Sequence, residues 1–273
     1  MSATGAAAAG DVLSVPARTR YGSLVLRIVL PTLTFVALIS GWWLATLAFG
    51  WPSYLVPTPL EVADEMVDQR ELLMSNFRTT LGEALLGFGL AIAIAVPFAV
   101  AITYSRLLEL TIYPALVALN AVPKIAIAPL LVIWMGFGLG PKVVMVVLIC
   151  FFPIVIATTT GLKSTPAEIV ELSRSLSSSP LQEFVRFRFP WSLPYAFVGL
   201  KVAITLAVIG AVVGEFVGAT KGLGYVIVAS GQTANTTLAF AAIVLLSAMS
   251  IMLFYAIALA ERLIVPWSEE QQS

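Results

Sequence analysis

The chain alternates between long apolar runs and short polar connectors, a pattern typical of a protein that crosses a bilayer several times. A transmembrane helix needs about 20 consecutive, mainly apolar residues. Five runs meet this requirement: Ile28–Phe49, Ala84–Thr103, Val143–Leu162, Val202–Gly218 with its apolar flank from Tyr195, and Leu238–Leu259. Each run predicts one membrane-spanning helix.

A sixth apolar run extends from Leu110 to Gly136, but three prolines and one charged residue, Lys124, interrupt it. Proline in a membrane helix frees backbone groups that must then lie against protein. We interpret this run as a single kinked or partly re-entrant crossing, because two short crossings here would reverse the topology of everything that follows. The sequence therefore predicts an all-α membrane protein with six transmembrane helices.

Lysine and arginine set the orientation, because cytoplasmic loops are enriched in these residues. With the N-terminus inside, nine of them lie in cytoplasmic segments and four lie outside. The inside set is Arg18, Arg20, Arg27, Arg106, Lys163, Arg174, Arg186, Arg188 and Arg262, and the outside set is Arg70, Arg78, Lys142 and Lys221. Both termini are predicted to be cytoplasmic, with residues 1–25 as a disordered tail and residues 268–273 as a C-terminal tail.

The composition excludes most other classes of protein. Apolar residues make up 59% of the chain and charged residues 11%, whereas a soluble domain carries about 25% charged residues. The 15 Lys and Arg balance the 15 Asp and Glu, so the net charge gives no indication of a nucleic-acid partner. The sequence has no histidine and a single cysteine, Cys150. We therefore expect no histidine-based catalysis, metal site, cofactor or internal disulfide.

Three segments carry the same helix-start signal, a capping residue followed by proline and then, two positions on, Glu or Gln. They are Thr58–Glu61, Thr165–Glu168 and Ser179–Gln182. The first predicts an external connector helix within residues 26–78, which also hold the first span. The other two fall in a cytoplasmic loop, residues 163–194, and predict helices at about Pro166–Leu176 and Pro180–Arg188. A loop that only joins two spans needs neither this length nor this structure, so the helix pair indicates a docking surface.

This loop is similar to the "EAA" loop of ABC importer permeases, whose pattern is Glu-Ala-Ala, three residues, Gly, nine residues, Ile-x-Leu-Pro. The matching positions are Glu171, Leu172, Ser173, Ser177, Phe187, Phe189 and Pro190. Ser177 replaces the glycine of the pattern, and serine adopts a left-handed turn only at a cost. The resemblance implies a pair of helices that dock in a cleft of the ATP-hydrolysing subunit. Helical spacing predicts that Leu181, Phe184 and Val185 form the apolar face of the second helix.

Other motifs extend the resemblance over residues 79–267. Asn120–Lys124, Trp134–Gly138 and Gly222–Tyr225 look like the taurine/nitrate/sulfonate permease family, and Val213–Phe216 is also similar to permeases for thiamine-pyrimidine precursors or riboflavin. The resemblance implies a type I ABC importer permease of the cell inner membrane that is not itself an enzyme. It also implies two copies of an ATPase subunit, a solute-binding protein, and a second permease chain, identical or different. The implied substrate is a sulfonate-, nitrate- or taurine-like anion, or a heterocyclic vitamin precursor.

Charged residues within predicted spans are candidates for the transport path, because each costs about 2.5–3.5 kcal/mol at the bilayer centre. We select Glu215 and Lys124 as pathway residues. The alternative for both, and for Lys201, is solvation at the interface or an ion pair that holds two helices together. Glu83, at a span end, is expected to be solvated. The spacing of Gly210 and Gly214 suits tight helix contact, within the chain or across a dimer.

Two segments superficially resemble phosphate-binding loops, Gly136–Gly140 and Gly161–Thr165. The first lacks a preceding strand and is followed by Pro141, and the second lacks the Gly-Lys pair. We therefore expect that the chain does not bind ATP itself. An ATP-independent channel or secondary transporter is the alternative function, although inverted-repeat symmetry is lacking and the loop is structured. A membrane enzyme has less support, because the sequence contains no recognisable catalytic group.

Overall fold

The computed structural model describes residues Arg20–Ser268, and within this range every regular element is helical. Residues 1–19 and 269–273, which hold most of the two predicted tails, lie outside the described residues. The chain divides into two units, residues 1–51 and 52–273.

The first unit contributes one described helix, α1 (Arg20–Phe49), with Pro31 inside it. The helix begins at Arg20, ahead of the tail boundary predicted at residue 25. Leu24, Val25 and Leu26 run directly into the apolar span, so the helix continues through them. At its other end the rings of Phe49 and Trp51 stack with centroids 4.9 Å apart.

The second unit contains ten α-helices among the described residues, joined by short connections. They are α2 (Pro59–Asp68), α3 (Arg70–Tyr104), α4 (Arg106–Asn120), α5 (Ala128–Met135), α6 (Leu139–Lys163), α7 (Ala167–Ser175), α8 (Pro180–Glu183), α9 (Phe189–Phe216), α10 (Leu223–Gln232) and α11 (Thr236–Ile264). A 3-10 turn, Lys124–Ile127, precedes α5, and a π turn, Phe184–Arg188, joins α8 to α9. The predicted connector helix is α2, which packs against α11.

Five helical stretches are long and apolar enough to cross a membrane: α1, α3, α6, α11 and the continuous run from α8 through α9. The pair formed by α4 and the segment Lys124–Met135 bends by 82° and passes the same test as one broken span. The bend falls at Ala121–Pro123, which separate α4 from the 3-10 turn, because proline cannot supply the hydrogen bond that would continue α4. The prediction of an all-α protein with six spans, one of them kinked, is confirmed.

The centre of the second unit is α6, which packs along α3 on one side and α9 on the other. Glycines allow this approach: a Cβ built on Gly210 would lie 2.9 Å from Cα of Val146, and one on Gly214 would lie 2.9 Å from Cα of Lys142. A Cβ built on Gly87 of α3 would collide with Cβ of Val146. The contact predicted for the Gly210–Gly214 pair is therefore made within the chain, against α6.

The second helix of the predicted loop is not separate from the fifth span. The backbone stays helical from Pro180 to Phe216, so the loop predicted at residues 163–194 is shorter in the structure. Pro190 does not break it because the π turn lies immediately before, where the N–H of Phe189 donates to the carbonyl of Phe184. A π turn widens the helix and relieves the clash that a proline ring makes with the preceding turn.

Candidate functional site

The first short helix of the loop, α7, ends in a left-handed turn at Ser177, which has φ +54°. The N–H of Ser178 donates to the carbonyl of Ser173 at 3.2 Å, which is the closing bond of a Schellman motif with Ser177 at its left-handed position. That position is usually glycine because a side chain there is strained. The glycine of the "EAA" pattern corresponds to this left-handed position, where glycine is unstrained. Ser177 adopts the same conformation at a cost in backbone energy.

On both sides of that turn, the loop presents apolar side chains to the outside. In the described chain Leu172 is 58% exposed, Leu176 69%, Leu181 71% and Val185 55%. We call these four residues the loop face. Glu171 is also exposed, whereas Ser173 is fully buried. The two helices thus hold an apolar surface in place without burying it.

Phe184, predicted to share this surface, turns towards the bundle instead. Its ring packs edge-on against Tyr104 at the end of α3, with centroids 6.0 Å apart, and against Phe189 at 5.8 Å. Beside it Arg188 donates to the buried carboxylate of Glu183 at 2.7 Å and lies over the ring of Tyr104. This cluster fixes the second loop helix to α3, so Phe184 positions the loop face rather than belonging to it.

Next to the loop face, a cavity of about 300 Å³ opens between α7 and the start of α9. Leu172, Phe187, Pro190, Trp191 and Trp267 line it, with Arg186 as its cation. Phe187 and Pro190, two of the residues that match the "EAA" pattern, therefore contact the space beside α7. Phe189 instead lies next to Phe184.

Glu215 lies near the end of α9 and is 1% exposed. Its Oε1 accepts a hydrogen bond from the Thr80 hydroxyl at 2.7 Å, and its Oε2 accepts one from the N–H of Gly224 at 2.5 Å. The N–H of Leu223 donates to the Thr80 hydroxyl at 2.8 Å. A Cβ on Gly222 would collide with the Glu215 carboxylate. The carboxylate thus holds the first turn of α10 to α3 and α9, an arrangement that favours the helix-holding alternative for Glu215.

Glu83 and Lys142, expected at solvated positions, form a buried ion pair. Lys142 Nζ lies 2.6 Å from Glu83 Oε1, with the two side chains 9% and 5% exposed. The prediction was wrong because α3 and α6 extend further than their apolar runs, which places both residues inside helices. Sequence reasoning also missed Asn76, whose Oδ1 accepts the N–H of Gly222 at 2.7 Å. Its signal was the spacing of Asn76, Thr80 and Glu83, which puts three polar residues on one helix face.

The two remaining span lysines differ in their partners. Lys201 of α9 forms an ion pair with Glu261 of α11 at 2.8 Å, which fits the ion-pair alternative. Lys124 lies at the break between α4 and α5, where its Nζ donates to Asn120 Oδ1 at 2.6 Å and lies 5.1 Å from the centre of the Phe152 ring. Lys124 therefore contacts a neutral amide and an aromatic ring at the bend of the broken span.

The chain is similar to known proteins both in sequence and in fold. Residues 87–266 match the family described as "Binding-protein-dependent transport system inner membrane component". The formylaminopyrimidine transport permease protein ThiX of Halalkalibacterium halodurans is 36% identical over 88% of this chain and 96% of its own length. The riboflavin transport system permease protein RibX of Chloroflexus aurantiacus is 35% identical over 86% and 88%. A structure titled "Inward facing conformations of the MetNI methionine ABC transporter" shares the fold, with a TM-score of 0.65, 21% identity, and coverage of 72% of this chain and 98% of that one.

Proposed function

From the premise that this chain belongs to the binding-protein-dependent transport family of ABC importer permeases, we propose that it forms the transmembrane path for a small solute. In this proposal an external binding protein delivers the solute and a separate ATPase drives the import. Two permease chains line the path, and two ATPase subunits bind on the cytoplasmic side. The chain is a membrane protein of the inner membrane, and its own role is non-catalytic.

The observation that supports ATPase docking is the exposed loop face of Leu172, Leu176, Leu181 and Val185. The loop face does not suit burial in lipid. The segment from Lys163 to Arg188 carries seven charged residues, and a charge in the bilayer interior costs several kcal/mol. A protein cleft satisfies both the apolar face and the charges around it. Glu171 and the cavity beside Leu172 extend the same docking surface.

The proposed solute is a heterocyclic vitamin precursor. Support comes from the two relatives named for formylaminopyrimidine and riboflavin transport, at 36% and 35% identity over most of both chains. The anion alternative, a sulfonate, nitrate or taurine, is tested in the same uptake assay. Uptake of an aliphatic sulfonate without uptake of the heterocycle would replace the substrate class and leave the importer role unchanged.

A single substitution tests the docking surface. Leu181→Asp places a charge in the proposed contact, so co-purification of the ATPase is expected to fall at least about tenfold, the effect of a central interface residue. Membrane abundance should stay normal, because Leu181 is 71% exposed. Leu60→Asp is the matched control, since Leu60 is 62% exposed at the start of α2 and lies outside the loop.

Two outcomes would contradict the proposal. Full ATPase binding and uptake with Leu181→Asp would exclude this face as the docking surface. Solute movement by the purified chain alone in liposomes, with neither ATPase nor binding protein, would instead support the channel or secondary-transporter alternative.

A further inference from the structure

Lys124 differs from the other lysines of the spans in what neutralises its charge. Lys142 and Lys201 each face a carboxylate, at 2.6 and 2.8 Å. The contacts of Lys124 within the described chain are the amide oxygen of Asn120 and the face of Phe152, both neutral. An uncompensated charge within a span is stable only where water or a polar solute reaches it.

The backbone at the same place points to the same conclusion. Ala121, Val122 and Pro123 lie between two helical segments that bend by 82°, and these three residues are exposed in the described chain. Non-helical backbone at membrane depth is tolerated where it is covered by protein or lines a water-filled cavity. Broken helices of this kind form the solute sites of many transporters. The bend in the backbone and the lysine without a counter-charge therefore lie at the same place in the chain.

The available hydrogen-bonding groups define the chemistry of a solute that fits here. An ammonium group has three donors, of which Lys124 uses one on Asn120 Oδ1. The Asn120 amide adds two more donors, and its side chain is exposed. The Phe152 ring, over which Lys124 Nζ lies, is 5% exposed. It belongs to an aromatic cluster in which Phe152 lies 6.2 Å from Phe151 and Phe151 lies 5.6 Å from Phe98. The bend therefore offers hydrogen-bond donors from Lys124 and Asn120, with the Phe152 ring buried behind the ammonium group.

We propose that Asn120 and Lys124, with Phe152 supporting the ammonium group, form a solute-contacting site within the transport path. It binds a planar heterocycle whose ring nitrogen and carbonyl oxygen atoms accept hydrogen bonds from Lys124 and Asn120. Phe152, which is 5% exposed, holds the ammonium group at the bend from within the bundle. This inference rests on the proposed function and adds to it the point in the path at which the solute is contacted.

Cysteine labelling tests whether the site faces water, independently of transport. Lys124→Cys is expected to react with a membrane-impermeant charged thiol reagent in the assembled transporter. The single native cysteine, Cys150, is fully buried and gives a low background. Met252→Cys is the control, because Met252 is 49% exposed in the described chain but lies in the uninterrupted apolar helix α11. Labelling of position 124 no faster than of position 252 would overturn the proposal, even in a transporter that imports solute.

Protection and uptake test contact with the solute. Formylaminopyrimidine, with binding protein present, is expected to slow labelling of Ala121→Cys at least tenfold, whereas an aliphatic sulfonate should not; this variant keeps Lys124 and places the thiol at an exposed position of the same break. Protection by the sulfonate alone would overturn the heterocycle site.

Lys124→Met should lower uptake at least tenfold while ATP hydrolysis stimulated by the binding protein persists, and Lys124→Arg should restore uptake. Equal loss of uptake and hydrolysis would show a structural role instead and overturn the proposal. Absence of ATP-driven uptake by the unmodified complex would contradict the proposed function, whereas the labelling result would still decide whether the site faces water.

Discussion

The polar network around Glu215 and the loop face are opposite solutions for residues that do not fit a lipid environment. Around Glu215, both carboxylate oxygens accept hydrogen bonds, Thr80 bonds to two partners, and Lys142 is paired with Glu83. In the loop, four large apolar side chains are more than half exposed although capping and a left-handed turn fix the backbone. In the first region most polar groups find partners within the described chain, Glu83 Oε2 being the exception, whereas the second region is ordered but leaves its apolar side chains exposed.

This difference separates structural from functional residues better than charge alone does. A buried charge whose partners are all present stabilises one arrangement of helices, and removing one partner is costly. A rigid apolar surface left exposed has the properties of a protein interface, because little ordering entropy remains to be lost on binding. We therefore expect substitutions around Glu215 to affect folding and substitutions in the loop face to affect assembly with the ATPase.

The largest effect is expected for Lys142→Met. It leaves the Glu83 carboxylate buried without its counter-charge, which costs about 3–5 kcal/mol. The thermal midpoint and the amount of protein in the membrane should both fall sharply. Lys163→Met is the matched control: Lys163 pairs with Glu109 at 2.9 Å, but the side chains are 39% and 33% exposed, and such pairs contribute about 0.2–1 kcal/mol. Equal stability of the two variants would contradict the distinction, and recovery in the double variant Glu83→Gln/Lys142→Met would support it.

Glu215→Gln should have the next largest effect. The glutamine keeps one acceptor oxygen but turns an NH2 group towards Thr80 or Gly224, both of which now donate to the carboxylate. Towards Gly224 this leaves a buried N–H without an acceptor, whereas towards Thr80 the hydroxyl can turn to the Asn76 carbonyl, 3.2 Å away. We therefore expect a cost at the lower end of about 1–3 kcal/mol. We expect a lower thermal midpoint and, in the protein that folds, unchanged transport per complex. Lost transport with normal stability would instead establish the pathway role predicted from the sequence.

The sequence predicts the helices, the broken span and the loop because each depends on local patterns of apolar residues, proline and capping residues. It misplaces Glu83 and Lys142 because the helices continue beyond their apolar runs. The cost of burying each charge is offset only by the partner on the other helix. The role of Glu215 depends on the N–H groups of α10, which no local pattern links to α9. For Ser177 the sequence does indicate the structure. Its departure from the glycine of the "EAA" pattern marks the residue whose backbone is left-handed and strained.

Ser177→Gly should stabilise the loop by less than the changes above. Glycine removes the left-handed strain of about 1–2 kcal/mol but adds about 0.5–1 kcal/mol of backbone entropy loss on folding, which leaves a net gain of about 0–1.5 kcal/mol. Hydrogen exchange in α7 should slow, and ATPase binding should be equal or tighter. Ser178→Gly is the neighbouring control, because Ser178 has no positive φ and glycine there brings only the entropic cost. Equal effects of the two changes would show that the turn is not strained.

The smallest effect is expected at the two capping boxes. In α2 the Glu61 carboxylate accepts from the Ser53 hydroxyl at 2.6 Å and from the N–H of Thr58 at 2.7 Å, and these hydrogen bonds, that of Ser53 first, hold the pKa of Glu61 below its usual value. In α8 the same place is taken by neutral Gln182, which accepts from the N–H of Ser179 at 3.0 Å.

Because the pKa of Glu61 is lower in the folded chain, its contribution to stability is complete above the unfolded pKa of about 4.3 and is lost as the pH falls through the folded pKa. Hydrogen-exchange protection at the start of α2 should therefore decrease between pH 6 and pH 3, while protection at the start of α8 does not change in step with it. Glu61→Gln should abolish the pH dependence at α2, since it converts the charged box into the neutral kind found in the loop. An unchanged pH dependence in that variant would assign it to another group and show that the two boxes differ for a reason other than charge.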